Sequence, residues 1–506
     1  MKISDLSTAA LSSTSFPGKT VTVIAIFLGL FCLYGPSLDF YFFYDDFVTL
    51  DGSRLTSVSD IITSFSPIHF GADPTDRVPF YRPLSTYVYF GVMQVLVGAE
   101  PFYFRLVNLG LLGAVSFMVY ILIFTLREDR LAGFFGAVLF ALNTAHALTQ
   151  LWISCVPELI STLFATLSLY TYILWVRKHR RVYLTISVLS FLLGLLSKEI
   201  AIAVPGLALL FEMLYGRPED RKDLLLLLKR LSLYVIIGSA YLIFRLYYFE
   251  IPESGPYRLS VGLFVLKNFA RYFFWAIDSY LIGFLNVSSM DHLVLVNVFQ
   301  ETDWWLIWLK FLVIVSIVFY FSRRNSWKLK NELLFSMGWF VLGLFAVLFA
   351  PGRLYHYYLL FPGVGLMLLI GGVVSRTAAM LARRSTILAT AACVVYLGAV
   401  LAHSTAEIRK EQAPLRGVTL SMRNIEKQLR HKIPNPPDNS GFVFSGNYGA
   451  DWLKNLSPAI RVIYDNPTIN ATALEDGKIP EKVKKSLGPV YLVHVQNGIV
   501  YVTYPK

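Results

Sequence analysis

The chain has 506 residues, of which 55% are hydrophobic and only 15% are charged. A typical soluble domain has about 25% charged residues, so this composition excludes an ordinary soluble globular protein. The formal net charge is +12, but the basic residues lie in short clusters between apolar runs, which is typical of the cytoplasmic loops of membrane proteins. The sequence therefore predicts a multispanning membrane protein without a nucleic-acid partner.

Apolar runs long enough to cross a bilayer, about 20 residues each, recur along most of the chain. We predict an all-α membrane domain over residues 1–402 with about eleven transmembrane helices, at residues 20–36, 103–126, 131–147, 151–176, 182–197, 200–215, 231–249, 304–322, 333–350, 357–375 and 385–402. Residues 261–300 are apolar and aromatic but are interrupted by Lys267, Arg271 and Asp278. They predict interfacial or re-entrant structure rather than a span.

The distribution of basic loops predicts the orientation. Four of them fall on one side of the membrane in this count, at residues 177–181, 217–230, 323–330 and 376–384. Because positively charged loops stay in the cytoplasm, that side and the N-terminus should be cytoplasmic. The large first loop, about residues 37–100, and the residues after 402 should then lie on the extracytoplasmic face of a cell inner membrane or an endoplasmic reticulum membrane.

Residues 403–506 have the composition of a small water-soluble α/β or α+β domain. A charged helical stretch is predicted at 406–432, followed by strands at 441–445, 460–464, 490–495 and 499–503. The last two strands flank Asn497-Gly498, which favours a tight hairpin turn. In the first loop, the residues after Ser57 predict a short helix with a capping box, lying along the external interface.

An acidic pair, Asp45 and Asp46, follows the aromatic run 40–44 at the exit of the first predicted helix. Carboxylates at a membrane boundary cost free energy unless they are solvated or paired. One interpretation is a catalytic base, with the second carboxylate orienting it or with both holding a divalent cation. The other is an ordinary acidic pair at a helix exit, next to interfacial aromatic residues. The dipeptide alone favours the second interpretation.

Further polar tracts follow along the chain. They are Tyr81-Arg82-Pro83, Phe104-Arg105, His146, Trp152-Ile153-Ser154 with Glu158, Ser197-Lys198-Glu199, and Arg353 to Tyr358. In this order and spacing, over about residues 37–370, the chain resembles the GT-C class of multispanning glycosyltransferases. It is similar to the protein O-mannosyltransferase-like branch, which includes the transmembrane and tetratricopeptide-repeat mannosyltransferases. The chain departs from that pattern at three places. It has Asn143-Thr144 where the similar enzymes often have His-Pro, Arg105 where they have His, and Val156 where they have Arg. The identities of the sugar and the acceptor therefore stay open.

The resemblance implies an external active site, a polyprenyl- or dolichyl-phosphate sugar donor and inversion at the anomeric carbon. The expected partners are this lipid-linked sugar, membrane lipid, and a protein, lipid or glycan acceptor. The first-loop base maps onto Asp45 or Asp46. The candidates for binding the donor phosphate are Arg82, Lys198, Arg353 and His356, and further pocket candidates are His146, Glu158, Glu199 and Tyr355. No cofactor is assigned, apart from the option of a divalent cation at the acidic pair.

Each candidate also has a purely structural interpretation. Arg82 could anchor a loop at the interface, and Lys198 and Glu199 could pair with each other across a turn. Arg353 could be a snorkelling cation in an aromatic belt, and His146 could simply belong to a turn. Glu158, about 10 Å deep in its predicted span at 1.5 Å per residue, could pair with a neighbouring helix.

Two other function classes compete with a transferase. A transporter or lipid flippase is one, but few ionisable residues fall at the centres of the predicted spans and no inverted repeat is visible, where transporters often have one. The other is a non-catalytic scaffold derived from such a transferase, which the three departures keep open.

Overall fold

The computed structural model describes residues 18–67, 80–216, 221–249, 258–285, 326–446, 455–474 and 487–503, with pieces of one to six residues between these ranges. Within them, eight helices are long and apolar enough to cross a membrane, or nine if one bent pair counts as a span. The prediction of a mostly helical multi-pass membrane protein is therefore confirmed. The predicted span at 304–322 lies largely outside the described residues, as do residues 68–79 of the first loop and 286–300 of the predicted interfacial segment.

Helices are present at most of the predicted spans, and further helices that were not predicted lie between them. In chain order they are α1 (Lys19–Tyr34), the loop helices α2 (Asp46–Gly52) and α3 (Val58–Thr63), then α4 (Tyr89–Val97), α5 (Pro101–Arg127), α6 (Arg130–Leu142), α7 (Ala147–Leu151), α8 (Val156–Lys178), α9 (Arg181–Ser197), α10 (Val204–Phe211), α11 (Arg221–Tyr248), α12 (Phe264–Asp278), α13 (Ser326–Leu348) and α14 (Leu360–Ala382). The span predicted at 182–197 corresponds to α9, whose 17 residues make it shorter than the candidate spans. The shortest of these, Glu199–Gly216, has 18 residues and consists of α10 with the turns on either side of it. The capping box of Ser57 and Asp60 begins α3 as predicted.

Two breaks in the helices bring turns to one end of the bundle. α6 and α7 meet at 52°, where Asn143 accepts the backbone N–H of Ala145 and caps the 3₁₀ turn Thr144–His146. A second 3₁₀ turn, Ile153–Cys155, separates α7 from α8. Glu158 therefore lies in the first turn of α8, a few residues inside the candidate span Ile153–Lys178, and its depth in the membrane stays a prediction.

The two ends of the bundle differ in charge. At one end Arg127 and Arg376 both pair with Glu332, and Arg230 pairs with Glu212 at 3.0 Å. This end therefore collects several of the predicted cytoplasmic basic segments. The acidic pair lies at the other end, together with the C-terminal domain. Which membrane face each end meets stays a prediction from the rule on positively charged loops.

A single long helix, α15 (Thr386–Lys432), joins the membrane part to the C-terminal domain and passes without a break through the boundary predicted at residue 402. The domain itself contains β1 (Gly441–Gly446), α16 (Leu456–Tyr464), β2 (Asn470–Ala473), β3 (Val490–Gln496) and β4 (Ile499–Thr503). Its sheet has the order β2-β1-β3-β4, with β1 parallel to both neighbours and β3 antiparallel to β4. Asn497 and Gly498 have positive φ, and the predicted hairpin is confirmed.

The strand predicted at 460–464 is wrong, because these residues form the second half of α16. Leu456, Ala459, Ile460 and Ile463 are buried in that helix, at the spacing of one helical face. The five residues 460–464 alone do not contain this period. The sequence analysis also missed β2, whose Asn-Ala-Thr-Ala sequence contains little β-branched or aromatic signal for a strand.

Candidate functional site

The acidic loop, residues 40–46, crosses the end of the bundle between α1 and α2. Tyr44 has φ = 51°, a left-handed conformation that a tyrosine keeps only where its surroundings hold it. One such restraint is the amide of Asn455, which donates to the Tyr44 carbonyl oxygen at 3.1 Å. After this turn the two aspartates differ in environment, since Asp45 is exposed at the start of α2 and Asp46 is fully buried.

Asp46 is held by three hydrogen bonds. Its Oδ1 accepts from the backbone N–H and the hydroxyl of Ser154, at 2.8 and 2.7 Å, and its Oδ2 accepts from the N–H of Phe43 at 3.2 Å. Burial raises the pKa of this carboxyl to about 6, although the bonds from Ser154 and the charge of Arg105 act in the opposite direction. Asp46 thus anchors the acidic loop to the turn that precedes α8.

Arg105, which the sequence analysis noted only as a departure from the family pattern, binds the same loop. Its buried guanidinium donates to the carbonyl oxygens of Phe40 and Tyr41, at 2.9 and 3.0 Å. It also donates to the carbonyl oxygen of Leu151 at 2.6 Å. The arginine therefore connects the acidic loop to the end of α7.

Two ion pairs lie beside the loop, and neither joins Lys198 to Glu199. Lys198 pairs with Glu158, and the side chains of this pair are only 7% and 2% exposed. Arg82 binds Glu199 with two parallel hydrogen bonds, of 3.1 Å from Nε and 2.6 Å from Nη2. The interpretation of Lys198 and Glu199 as a self-paired turn is therefore wrong. Arg82 connects the first loop to the turn after α9, whereas a residue that only anchors a loop at the membrane interface would not make this connection.

An aromatic wall connects these pairs to the acidic loop; its members are Tyr44, Trp152, Tyr355, Tyr357 and Tyr358. Tyr44 meets Trp152 edge to face with ring centroids 6.0 Å apart, and Trp152 meets Tyr357 at 6.3 Å. Tyr357 stacks on Tyr355 at 5.0 Å and contacts Tyr358 at 4.5 Å. The indole N–H of Trp152 is buried and has no hydrogen-bond partner among the described residues.

Two of the candidate cations flank this wall. Lys198 Nζ lies 4.9 Å from the centroid of the Tyr358 ring and is buried. The guanidinium of Arg353 lies 5.5 Å from the centroid of the Tyr355 ring and is half-buried. Tyr272 of α12 donates to the backbone carbonyl of Arg353 at 3.2 Å and so holds this turn. Of the two cations, Arg353 is the more accessible.

The two groups of charges act electrostatically on the same side chains. The hydroxyl of Tyr355 interacts with both Arg353 and Asp45. The buried Cys155 interacts with both aspartates and with the Lys198–Glu158 pair. The acidic pair, Lys198 and Arg353 are therefore gathered at one end of the bundle, although they are distant along the chain.

The two candidate histidines pack against aromatic rings. His146 lies against Phe140, with centroids 4.5 Å apart, and within the described ranges neither of its ring nitrogens has a hydrogen-bond partner. His146 belongs to the packed turn between α6 and α7, in line with its interpretation as a turn residue. His356 lies against Trp275, with centroids 3.9 Å apart, and this contact holds α12 over the start of α14.

The acidic pair fits a divalent cation poorly. Both oxygens of Asp46 already accept hydrogen bonds, from Ser154 and Phe43. In the part of the chain that the structure describes, no group of three or more His, Cys, Asp or Glu side chains is arranged to hold a metal ion. Asp45 would have to provide most of the protein ligands by itself, whereas Mg²⁺ and Ca²⁺ require several oxygen ligands.

The C-terminal domain packs directly on the segment that carries the acidic pair. α16 lies along α2, where Arg461 pairs with Asp51 at 3.2 Å. Arg54, just beyond α2, pairs with Asp465 and donates to the carbonyl oxygen of Arg461 at 2.8 Å. The sequence analysis left the role of this domain open, and these contacts mean that it positions α2.

No family model matches the sequence, and no curated protein matches it. Similar solved structures include ArnT from Cupriavidus metallidurans bound to undecaprenyl phosphate, with 13% identity, a TM-score of 0.48, and coverage of 93% of this chain and 92% of that chain. The archaeal oligosaccharyltransferase AglB from Archaeoglobus fulgidus, in complex with an inhibitory peptide and a dolichol-phosphate, has 14% identity, a TM-score of 0.48, and coverage of 94% of this chain and 69% of that chain.

A second structure of the Archaeoglobus fulgidus oligosaccharyltransferase, tethered with an acceptor peptide containing the NVT sequon via a disulfide bond, has 14% identity and a TM-score of 0.49. The similarity covers 90% of this chain and 63% of that chain. The site described above rests on the contacts of this chain alone.

Proposed function

We propose that the protein is a membrane glycosyltransferase that moves a sugar from a polyprenyl- or dolichyl-phosphate donor to a hydroxyl group of a protein, lipid or glycan acceptor, with inversion. The observation that carries this proposal is the shared location of an exposed Asp45 and a half-buried Arg353, with the aromatic wall between them. An accessible carboxylate and an accessible guanidinium are the two groups that this chemistry requires of the protein.

Asp45 is the base in this proposal, and Asp46 is a positioning residue. A general base must come within hydrogen-bond reach of the proton that it removes. Asp45 is exposed, whereas the oxygens of the buried Asp46 are occupied by Ser154 and Phe43. Asp46 fixes the first turn of α2, and that turn sets the direction of Asp45.

The reaction then needs one carboxylate and positive charge. The acceptor oxygen forms a bond to the anomeric carbon while the bond from that carbon to the phosphate oxygen breaks on the opposite face. The acceptor proton passes to Asp45, and the electrons of the broken bond leave with the lipid phosphate. Since the second pKa of a phosphate monoester is about 6, this group leaves as an anion without a protein acid, unlike the leaving group of an inverting glycosidase.

Arg353 is the residue that we propose to contact the donor phosphate directly, because guanidinium groups bind phosphate oxygens in a bidentate manner. Lys198 and Arg82 are each already paired with a carboxylate. In this proposal they hold the aromatic wall and the turn after α9 in place, and His356 holds α12.

Transfer assays on membranes that contain the full chain test the proposal. We expect Asp45→Asn to lower transfer from a labelled polyprenyl-phosphate sugar by about 100-fold or more, with the amount of folded protein unchanged. The matched control is Asp39→Asn, which removes the same charge from an exposed position just before the acidic loop and should leave transfer unchanged. A mannosyl donor is the first to assay, given the resemblance to the O-mannosyltransferase-like branch.

Three outcomes would contradict the proposal. Asp45→Asn could transfer as fast as the unsubstituted chain, which would remove its role as the base. Asp39→Asn could lose as much activity as Asp45→Asn, which would indicate an effect of loop charge alone. The unsubstituted chain could move the labelled lipid across the membrane without any sugar transfer, which would favour a transporter.

A further inference from the structure

A second charged cavity lies between the C-terminal domain and the start of α5, apart from the acidic pair. Its volume is about 500 Å³, within the range of pockets that hold small ligands. Four basic and three acidic side chains line it: Arg54, Arg423, Lys427, Arg430, Glu100, Glu426 and Asp465. A cavity with this many charges of both signs differs from an apolar gap between domains.

Part of this charge is neutralised inside the protein. Arg54 pairs with Asp465, and Arg430 pairs with Glu426 at 2.9 Å. The carboxylate of Glu426 also accepts a hydrogen bond from the hydroxyl of Tyr41.

Two cations and one carboxylate remain. Arg423 and Lys427 lie one helical turn apart on α15, and Glu100 directly precedes the first residue of α5. Among the described residues none of the three has an ion-pair partner. Arg423 lies over the ring of Tyr41, 5.9 Å from its centroid. The cavity therefore offers two positive groups and one negative group to a ligand.

The start of α5 adds further positive potential. Gly98, Ala99 and Pro101 line the cavity together with Glu100, so the N-terminus of a 27-residue helix meets it. No side chain caps this helix end, and the partial positive charge of a helix N-terminus favours a phosphate group.

The length of α5 favours a position of the cavity at the level of the lipid headgroups. α5 has 27 residues and is about 40 Å long at 1.5 Å per residue, which matches a bilayer including its headgroup layers. Its first residues therefore belong in such a layer. Val95 and Leu96 before the cavity, and Phe102 and Tyr103 after it, are exposed apolar side chains of the kind that contact acyl chains.

We propose that this cavity binds the headgroup of a membrane phospholipid that carries both a phosphate and a primary ammonium group, such as phosphatidylethanolamine. Arg423, Lys427 and the start of α5 bind the phosphate, and Glu100 accepts the ammonium group. This arrangement uses the two cations and the one carboxylate of the cavity that have no ion-pair partner in the described part of the chain. The lipid would then brace α15 against the acidic loop through Tyr41, next to the proposed active site.

The test is native mass spectrometry of the purified full chain with equal amounts of phosphatidylethanolamine, phosphatidylcholine and phosphatidylglycerol of the same acyl chains. We expect phosphatidylethanolamine to be retained preferentially. The double substitution Arg423→Gln/Lys427→Gln should weaken its binding about tenfold or more. The matched control is Arg409→Gln/Lys410→Gln, which removes one arginine and one lysine from exposed positions of α15 outside the cavity and should leave binding unchanged.

A second variant tests the ammonium contact. Glu100→Gln should reduce the preference for phosphatidylethanolamine over phosphatidylcholine while both lipids still bind. Soluble phosphoethanolamine, which has the same charged groups without acyl chains, should not displace the lipid at equal concentration. Displacement would overturn the assignment to a membrane lipid.

The proposal is overturned if phosphatidylglycerol is preferred, if the double substitution has no effect, or if the control weakens binding equally. It does not depend on the transferase activity. We expect Asp45→Asn to retain the lipid, so a failure of this inference and a failure of the proposed function are distinguishable.

Discussion

The buried pair of Lys198 and Glu158 gives a quantitative test of how the site is supported. We expect Glu158→Leu to destabilise the protein strongly, because it leaves the ammonium group of Lys198 without a counter-charge in a position that is 7% exposed. Breaking a buried ion pair by removing one partner costs about 3–5 kcal/mol. The contact of Lys198 with the Tyr358 ring is present before and after the substitution, so the expected loss stays at about 3–5 kcal/mol.

The matched double substitution Glu158→Leu/Lys198→Met should restore most of the lost stability, because replacing a whole buried ion pair by apolar side chains of similar volume is often neutral or better. The free energy of unfolding is measured by titration with SDS in mixed micelles. Transfer by the double variant should stay within about tenfold of the unsubstituted chain, since the proposed phosphate contact is Arg353. A double variant as unstable as Glu158→Leu would refute the ion-pair reasoning. A stable double variant without any transfer would mean that Lys198 contacts the donor.

Three further results are expected. Burial raises the pKa of Asp46 to about 6, so this carboxyl contributes stability that is fully present below about pH 4 and is lost as the pH rises through 6. For a shift of roughly two pKa units the change in the free energy of unfolding is about 3 kcal/mol. Asp46→Asn should remove this pH dependence when unfolding is measured between pH 4 and 7. Arg105→Met should cost about 3 kcal/mol or more, because several buried carbonyl oxygens lose their donor, and unchanged stability would contradict its role in holding the acidic loop. Arg353→Gln should lower the rate of single-turnover transfer by about 100-fold. Arg353→Lys should recover part of this rate, because lysine keeps the charge but not the bidentate geometry. Equal rates for the unsubstituted chain and both variants would exclude the phosphate contact.

Much of the fold could be predicted because it depends on properties local to the sequence. Apolar runs of spanning length gave the helices, and Asn497-Gly498 gave the hairpin of β3 and β4. The predictions of secondary structure failed where the composition of a short segment conflicts with the pattern of the longer element that contains it. The segment 460–464, Ile-Arg-Val-Ile-Tyr, has the composition of a strand, and only the burial of Leu456 and Ala459 shows that it completes one face of α16.

The site could be predicted only in part, because the sequence marks charged residues but not their partners. Asp46 and Ser154, which bond to each other, are 108 positions apart, and nothing local relates them. For the same reason the adjacent Lys198 and Glu199 suggested a pair, although each binds a residue from another segment. The difference between an exposed Asp45 and a buried Asp46 depends on the turn at Tyr44, which the acidic dipeptide does not indicate.

The central claim is that a lipid phosphate binds between Asp45 and Arg353, and a structure of the full chain with bound polyprenyl phosphate tests it most directly. We predict phosphate oxygens about 2.7–2.9 Å from the guanidinium of Arg353, beside the aromatic wall and at the end of the bundle that carries Asp45. A phosphate bound instead at the opposite end, near Arg127 and Arg376, would contradict the account.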